Sequence, residues 1–166
     1  MTNFKEDLGI IKAFVFDVDG VFTDGKIYLV SGEECIRAFN IKDGYAVKYA
    51  VQQGYPVAII SGGNSDMVKK RFIALGVTEI YINTADKVSA LADFYHKYHI
   101  DPTTILYMGD DLPDFEVMQK CGVPTCPSDA AEEIKSICKY ISSLKGGEGC
   151  VRDIIEQVLR LHGRWR

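Results

Sequence analysis

IIKAFVFDVDGV, residues 10–21, is the stretch that decides the fold of this chain. Its apolar first part is typical of a buried strand, and two carboxylates follow where that strand ends. Ligands bind at the carboxyl ends of strands in open α/β sheets. Residues two apart in an extended segment point to the same face, so Asp17 and Asp19 can share one site. Two like charges this close need a compensating cation or substrate. The alternative is a plain acidic turn.

The composition is that of an ordinary globular protein. The 166 residues are 47% hydrophobic and 25% charged, with a net charge of −4, which suits one domain with a buried core. The one basic cluster, at 69–71, is too small to favour nucleic acid, and no apolar stretch is long enough to cross a membrane. The acidic residues at 1–7 argue against a signal peptide, and five widely spaced cysteines indicate reduced thiols. We therefore expect a single cytoplasmic domain over residues 1–166, with no nucleic-acid or membrane partner.

Short apolar strands alternate with amphipathic helices along most of the chain. We expect strands at 57–60, 80–82 and 104–108, an edge strand at 123–125, and helices at 43–53, 88–98, 112–120 and 151–161. Continuously apolar strands in this alternation favour an α/β fold with a doubly wound, mainly parallel sheet. Before the first of these helices, the apolar runs 26–30 and 35–39 flank Ser31-Gly32 and predict a β-hairpin extension over about 26–39. The tail 162–166 has no helical pattern, so we expect it to be flexible.

Three further elements bring polar groups to the same edge of the predicted sheet. The run 61–64, SGGN, offers a hydroxyl and backbone N–H groups that could hold a phosphate, although it is also an ordinary turn. Lys87 lies near a helix start, where its charge opposes the helix dipole and suggests an anionic neighbour; a solvated lysine is the alternative. The run 109–114, GDDLPD, supplies three acids, and Asp110 and Asp114 can face one point. Such oxygen ligands suit Mg²⁺.

Together these elements predict phosphoryl transfer. A divalent cation shared by Asp17 and Asp110 would neutralise the carboxylates and a substrate phosphate. Ser61-Gly62 and Lys87 would cover the remaining phosphoryl oxygens, where transition-state charge spreads. Asp17 could then attack phosphorus to form an aspartyl-phosphate. Asp19 would protonate the leaving alkoxide and afterwards deprotonate the hydrolytic water.

In their order along the chain, the motifs at 17–25, Ser61-Gly62, Lys87 and 109–114 resemble those of the haloacid-dehalogenase-like phosphohydrolases. The full D-x-D-G-x-x-T-D-G run, together with GGEGCVR at 146–152, more narrowly resembles the uncapped members that hydrolyse 3-deoxy-D-manno-octulosonate 8-phosphate, a lipopolysaccharide precursor. The resemblance covers nearly the whole chain. It implies a Rossmann-like sheet with no cap domain.

The resemblance also implies roles for individual residues. The nucleophile is Asp17, the acid/base is Asp19, and the carboxylates of Asp17 and Asp110 hold Mg²⁺ together with the backbone carbonyl of Asp19. Asp111 and Asp114 are expected to touch the metal directly or through water and hydrogen bonds. The remaining site candidates are Ser61 and Lys87 as catalytic groups, and Thr23, Gly62, Gly63, Asn64 and Arg71 as substrate contacts.

The substrate that the resemblance implies is a sugar-acid phosphate, whose carboxylate needs a cation. Arg71 is the candidate for this contact, and a solvated helix arginine is the alternative. Gly63 stands where several relatives have Arg, which puts substrate contacts from its loop in question. A branch that acts on keto-deoxy-nonulosonate 9-phosphate carries Glu and Lys at the positions of Gly63 and Ala74, so their absence favours the C8 sugar.

The hairpin predicts an oligomer, because Ile27, Tyr28, Leu29 and Val30 are apolar on both of its sides. The resemblance implies a homotetramer in which hairpins associate and a neighbour shields each site. The alternative is a hairpin folded onto its own sheet. Three other interpretations of the whole chain compete: a receiver domain, a dehalogenase and a catalytically idle oligomerisation module. In a receiver domain the acid pair follows the first strand and the phosphoacceptor follows a middle strand, whereas here the D-x-D motif comes first and the Gly-Asp-Asp run late.

Overall fold

The computed structural model describes residues 4–32 and 35–166. Its helices and strands follow one another in an α/β order that begins with a helix. They are α1 (Phe4–Gly9), β1 (Ala13–Phe16), α2 (Ile41–Gln52), β2 (Val57–Ile60), α3 (Asp66–Ala74), β3 (Glu79–Tyr81), α4 (Lys87–Tyr98), β4 (Ile105–Met108), α5 (Phe115–Met118), β5 (Val123–Cys126), α6 (Glu132–Ile137), β6 (Tyr140–Ile141) and α7 (Cys150–Leu161). Short 3₁₀ turns at Pro102–Thr104 and Leu112–Asp114 flank β4.

The strands form one parallel six-stranded sheet in the order β3-β2-β1-β4-β5-β6. The chain leaves β1 in one direction towards β2 and β3, then crosses back to β4 and continues the other way. The topological switch point therefore lies between β1 and β4, where Phe16 is in register with Met108. A ligand is expected at the carboxyl ends of these two strands. This is the predicted doubly wound sheet.

Both faces of the sheet are covered, which explains why the central strands are apolar throughout. All four residues of β1 are buried: Phe14 and Phe16 pack into a core with α2, α3 and α7, whereas Ala13 and Val15 face the core formed with α4, α5 and α6. This alternation follows from the period of two along a strand. Because the core encloses β1 on both faces, the residues that follow it are held on a rigid base.

Polar caps fix the starts of the helices that lead away from the site. Ser65 accepts a hydrogen bond from the Val68 N–H at the start of α3, and Asp86 accepts one from the Ser89 N–H at the start of α4. Such caps satisfy backbone donors that the helix itself leaves unpaired. They place Lys87 in the first turn of α4, directly after the loop from β3.

The hairpin is present in reduced form. Tyr28 and Ile36 form one antiparallel bridge with N–H to carbonyl distances of 3.0 and 3.1 Å, and the other described residues of 26–39 form no regular strand. Two residues of the predicted hairpin, 33 and 34, lie outside the described residues, as do residues 1–3 of the amino-terminal segment. Within the described ranges there is no cap domain, in agreement with what the resemblance implies.

Two further expectations differ from the structure. The strand at 123–126 is not at the edge, because the short strand β6 pairs outside it; Pro124 lacks an N–H, and its carbonyl still accepts the Lys139 N–H. The tail, expected to be flexible, packs against α2: the Trp165 ring lies 5.1 Å from Tyr49 and 6.3 Å from Tyr45. Aromatic contacts at these distances hold the tail in place without any helical pattern.

The five cysteines are free thiols, as expected. Over the described parts of the chain, every helix is too short or too polar to cross a bilayer.

Candidate active site

The two acidic motifs meet where β1 and β4 end. The Asp17 N–H donates to the Met108 carbonyl at 3.0 Å, which extends the pairing of these strands into the loops. Gly20, at φ +83°, lets the two loops touch, because a Cβ there would collide with the Asp110 carboxylate. A glycine is needed at this position for both its backbone angle and its lack of a side chain.

A buried ion-pair network surrounds Asp17. The Lys87 ammonium contacts Asp17 Oδ1 at 3.2 Å and Asp114 Oδ1 at 2.7 Å. Asp114 is only 1% exposed and also accepts hydrogen bonds from the Tyr107 hydroxyl at 2.9 Å and the Asp110 N–H at 3.3 Å. Both oxygens of Asp114 are therefore used by the protein, so its carboxylate positions Lys87 and the Asp110 loop.

Burial and mutual repulsion change the acidity of these carboxyls. Burial, and next the charge of Asp114, raise the pKa of Asp17 well above its usual range. The same two causes raise the pKa of Asp110 to about 7. Burial alone would lower the pKa of Lys87, but the charges of Asp17 and Asp114 outweigh it and raise that pKa. Lys87 is thus a permanent cation, and one ammonium does not neutralise three carboxylates.

The donor set fits a divalent cation. Carboxylate oxygens of Asp17, Asp110 and Asp114 all lie within 4.8 Å of one another. Oxygen donors in this number suit Mg²⁺, which keeps several waters and takes one or two protein carboxylates. Since Asp114 is engaged by Lys87 and Tyr107, Asp17 and Asp110 are the carboxylates with capacity for the metal. Asp111, by contrast, is exposed and its Oδ1 accepts the Leu112 N–H at 2.8 Å.

The loop after β2 forms the opposite wall. Ser61 is buried, its Oγ accepts the Gly63 N–H at 3.2 Å, and its carbonyl accepts the Thr84 N–H at 3.2 Å. Asn83, with φ +54°, turns the chain back so that its N–H reaches the Gly63 carbonyl at 2.9 Å. These bonds tie the loop after β2 to the loop that leads into Lys87.

A cavity of about 470 Å³ opens between these loops. Its walls combine the predicted catalytic and metal residues with the glycine-rich loop. They are Asp17, Asp19, Gly25, Ser61, Gly62, Gly63, Thr84, Ala85, Lys87, Asp110, Asp111, Pro113 and Asp114. The volume is that of a small-molecule site.

Asp19 stands at the cavity wall in a two-point ion pair. Arg37 Nε donates to its Oδ1 at 2.7 Å and Nη2 to its Oδ2 at 3.3 Å. The arginine side chain is 13% exposed and that of Asp19 37%. The hairpin therefore delivers a cation to the residue that sequence analysis predicts as the acid/base.

Three predicted substrate contacts lie away from the cavity. Thr23 is 0% exposed, and its hydroxyl accepts the N–H groups of Gly20 and Gly25, both at 3.2 Å, so it shapes the loop from inside. Asn64 is exposed and absent from the cavity wall. The guanidinium of half-buried Arg71 lies against Gly44 on α2, and Arg71 is absent from the cavity wall. Arg71 is thus a poor candidate for the substrate carboxylate.

The late glycine run supports the nucleophile loop from behind. The Gly147 N–H donates to the Val21 carbonyl at 3.0 Å, and a Cβ on Gly146 would collide with the Gly20 carbonyl. Asn40, which caps α2, also donates to the Gly147 carbonyl at 3.2 Å. The glycine run at 146–149 is therefore packed against the loop that follows Asp17 and Asp19. Its position late in the sequence does not indicate this contact.

Two residues of the site were missed by sequence analysis. Tyr107 lies inside an apolar strand and looks like any core aromatic. Arg37 had a usable signal, since it is the one charged residue in the otherwise apolar run 35–39. A lone charge among residues expected to face a core or an interface calls for a partner.

Comparison with known proteins agrees with this geometry. A family model for haloacid dehalogenase-like hydrolases matches residues 72–152. The 3-deoxy-D-manno-octulosonate 8-phosphate phosphatase KdsC of Escherichia coli K12 is 36% identical over 154 residues, which are 93% of this chain and 82% of that protein.

Solved structures agree as well. The phosphatase of the same name from Yersinia pestis superposes with a TM-score of 0.93 at 31% identity, covering 96% of this chain and 86% of the other. That from Moraxella catarrhalis, a complex with a magnesium ion, a phosphate ion and KDO, gives 0.90 at 33% identity, with 95% and 90% covered.

The chain belongs to the haloacid dehalogenase-like hydrolases. Within that class it is a phosphatase, of the family that contains these 3-deoxy-D-manno-octulosonate 8-phosphate phosphatases.

Proposed function

We propose that the protein is a Mg²⁺-dependent phosphomonoesterase that hydrolyses 3-deoxy-D-manno-octulosonate 8-phosphate to the free sugar acid and phosphate. The observation that carries this proposal is the convergence of Asp17, Lys87 and Asp110 on one cavity at the switch point of the sheet. An acidic site with a buried ammonium and a cation-binding donor set is suited to a dianionic phosphate. The names of the relatives supply the particular substrate.

The proposed roles follow from where each side chain lies. Asp17 Oδ1 is held by Lys87 at 3.2 Å, which orients the carboxylate that attacks phosphorus. Lys87 also faces the cavity and would bind a phosphoryl oxygen, together with the Ser61 hydroxyl and the Gly62 N–H. Mg²⁺, held by Asp17, Asp110 and the Asp19 carbonyl, would supply charge neutralisation for the phosphoryl group.

Proton transfer falls to Asp19. In the first half-reaction its carboxyl proton passes to the leaving oxygen as Asp17 forms the aspartyl-phosphate. In the second, its carboxylate takes a proton from the water that attacks phosphorus. The bond from phosphorus to Asp17 breaks, which restores the free carboxylate and releases phosphate, and Asp19 carries the proton for the next turnover. The Asp19 side chain is 37% exposed, so an incoming water can reach it and exchange protons with it.

Keto-deoxy-nonulosonate 9-phosphate is the competing substrate of the same chemistry. The relatives named above act on the C8 sugar, which favours it. A catalytically idle module is disfavoured, because the buried charges of Asp17 and Lys87 cost desolvation that an apolar replacement of the pair would avoid, and a module without a substrate has no need of them.

We further propose that the protein is a single-domain homotetramer that works in the cytoplasm. The hairpin carries exposed apolar side chains, with Ile27 48%, Tyr28 57% and Leu29 80% exposed, a patch suited to another copy of the chain. The free thiols fit a reducing compartment.

Phosphate release from a panel of phosphorylated sugar acids, with Mg²⁺ or with EDTA, tests the proposal. We expect turnover to be fastest on the C8 sugar acid phosphate, to require Mg²⁺, and to disappear in Asp17→Asn. Lys26→Gln, which alters an exposed lysine of the hairpin, serves as the matched control and should keep wild-type rates. Fastest release from the C9 phosphate would overturn the substrate, and no release from any member would overturn the catalytic proposal.

A further inference from the structure

The ion pair between Arg37 and Asp19 has an asymmetry that bears on catalysis. The contact from Nε to Asp19 Oδ1 is 2.7 Å, whereas that from Nη2 to Oδ2 is 3.3 Å. Oδ2 is also the oxygen on the side of Gly63, where an added Cβ would lie 3.4 Å from it and 3.6 Å from Arg37 Nη2. Asp19 and Gly63 both line the cavity, and Gly63 also borders the narrow space around Arg37, so the longer contact is what distinguishes Oδ2 from Oδ1.

Arg37 itself is well anchored. Its side chain is 13% exposed, and Nη1 donates to the Cys35 carbonyl at 3.3 Å. Val18, Ser65 and Val68 line the narrow space around it. This guanidinium is hydrogen-bonded to the Cys35 carbonyl and packed between the loops that follow β1 and β2. It can therefore act as a rigid support, because its planar fork is already oriented for a carboxylate.

We propose that Arg37 is the positioning residue for Asp19 and that Oδ2 is the oxygen that carries the transferred proton. The inference rests on the proposed function, in which Asp19 is the acid/base. A proton on Oδ2 displaces only the longer contact, so Nε keeps Oδ1 in place throughout the cycle.

The two proton transfers can then use one orientation of the carboxyl group. In the first, the proton leaves Oδ2 for the bridging oxygen of the substrate while the bond from phosphorus to that oxygen breaks and the bond to Asp17 forms. In the second, Oδ2 receives a proton from water while the new oxygen–phosphorus bond forms and the bond to Asp17 breaks. A misplacement of about 1 Å at such a group costs on the order of 100-fold in rate.

The test separates positioning from folding and from substrate binding. It measures single-turnover release of the leaving group, with excess enzyme and Mg²⁺, and the steady-state KM, for wild type, Arg37→Gln and Arg37→Lys. One substrate is the C8 sugar acid phosphate, whose alkoxide needs a proton to leave. The other is p-nitrophenyl phosphate, whose phenolate leaves without one. Lys26→Gln is the control, because it removes a charge from the same hairpin at an exposed position.

We expect Arg37→Gln to release the sugar about 100-fold more slowly, with the rate for p-nitrophenolate and both KM values changed less than about threefold. Arg37→Lys should recover part of the loss, since it restores a cation without the fork, and Lys26→Gln should match wild type. The lysine variant also keeps the test readable if the glutamine variant does not fold.

Equal losses on both substrates would overturn the proposal in favour of a structural role. A rise in KM for the sugar acid alone would overturn it in favour of a contact to the substrate carboxylate. Wild type that releases neither leaving group would refute the proposed function itself, which is a different result from either of these.

Discussion

Lys87→Met removes the ammonium that contacts both Asp17 and Asp114 while keeping most of the side-chain volume. All three residues are buried, with Lys87 6%, Asp17 8% and Asp114 1% exposed. Removing one partner of a buried ion pair costs roughly 3–5 kcal/mol, because the remaining charge is left uncompensated. At about 1.4 kcal/mol per tenfold change, the unfolding equilibrium constant should rise by two to four decades.

The sign of the pH dependence is fixed by the raised pKa of Lys87. Its contribution is fully present below the unfolded pKa of 10.5 and is lost only as pH rises through the higher folded value. At pH 7.5 the wild-type lysine is charged, so the loss in Lys87→Met is at its full size. Mg²⁺ would neutralise Asp17, which Lys87 also contacts, and should therefore stabilise the variant more than wild type.

Urea unfolding followed by circular dichroism, at pH 7.5 in EDTA and in excess Mg²⁺, measures both effects. Lys26→Met, which breaks the exposed pair with Asp24, is the matched control and should cost far less. Phosphatase activity of Lys87→Met should fall by about 100- to 1,000-fold, as when one donor to a developing oxyanion is removed. A variant as stable as wild type in EDTA would refute the electrostatic account of the site.

Three other perturbations probe separate parts of the molecule. Burial raises the pKa of Asp43 to about 6 from an unfolded value of 3.8. The folded state therefore binds this proton more tightly than the unfolded state. About 3 kcal/mol of stability that is present below the unfolded pKa should be lost as pH rises through 6. Urea unfolding across this range should show a smaller loss of stability with pH in Asp43→Asn than in wild type, because Asp17 and Asp110 still have raised pKa values there. An unchanged slope in the variant would contradict the assignment. Gly146→Ala drives a Cβ into the Gly20 carbonyl and should lower kcat by about 100-fold. The control Gly9→Ala has open space around its Cβ and should keep the wild-type kcat. A wild-type kcat in both variants would mean that the glycine run does not support the Asp17 loop. Leu29→Glu puts a charge on the exposed hairpin and should reduce the proposed tetramer to smaller, folded species, with the mass measured by light scattering. An unchanged mass would exclude the hairpin as the interface.

Most of the sheet could be predicted from sequence because the signals are local. The strand at 57–60 was predicted with its observed bounds, since four buried apolar residues lie between Pro56 and Ser61. The position of Asp17 after the first strand follows from the same kind of signal. Once the sheet is parallel, the carboxyl ends of its central strands must meet, and so the convergence of Asp17 with Asp110 could also be predicted.

Other features depend on contacts between distant parts of the chain. The edge strand β6 has only two residues, which are too few for a periodic pattern. It forms by parallel pairing with β5, a contact with a distant part of the chain. Thr23, a substrate contact that the resemblance implies, is enclosed by its own loop. Arg71, the candidate cation for the substrate carboxylate, has its guanidinium against Gly44 on α2. Sequence specifies which groups exist, whereas the direction of a long side chain depends on packing against its neighbours.

If Asp17 is the nucleophile, it becomes phosphorylated during turnover. The direct test is to mix the enzyme with Mg²⁺ and the C8 sugar acid phosphate, quench within milliseconds, reduce acyl phosphates with borohydride, and map the modified residue by mass spectrometry. We expect modification at Asp17 alone, dependent on substrate and increased in Asp19→Asn with p-nitrophenyl phosphate, because hydrolysis of the intermediate then lacks its base. Turnover at the full rate with an unmodified Asp17, or modification at another carboxylate, would contradict it.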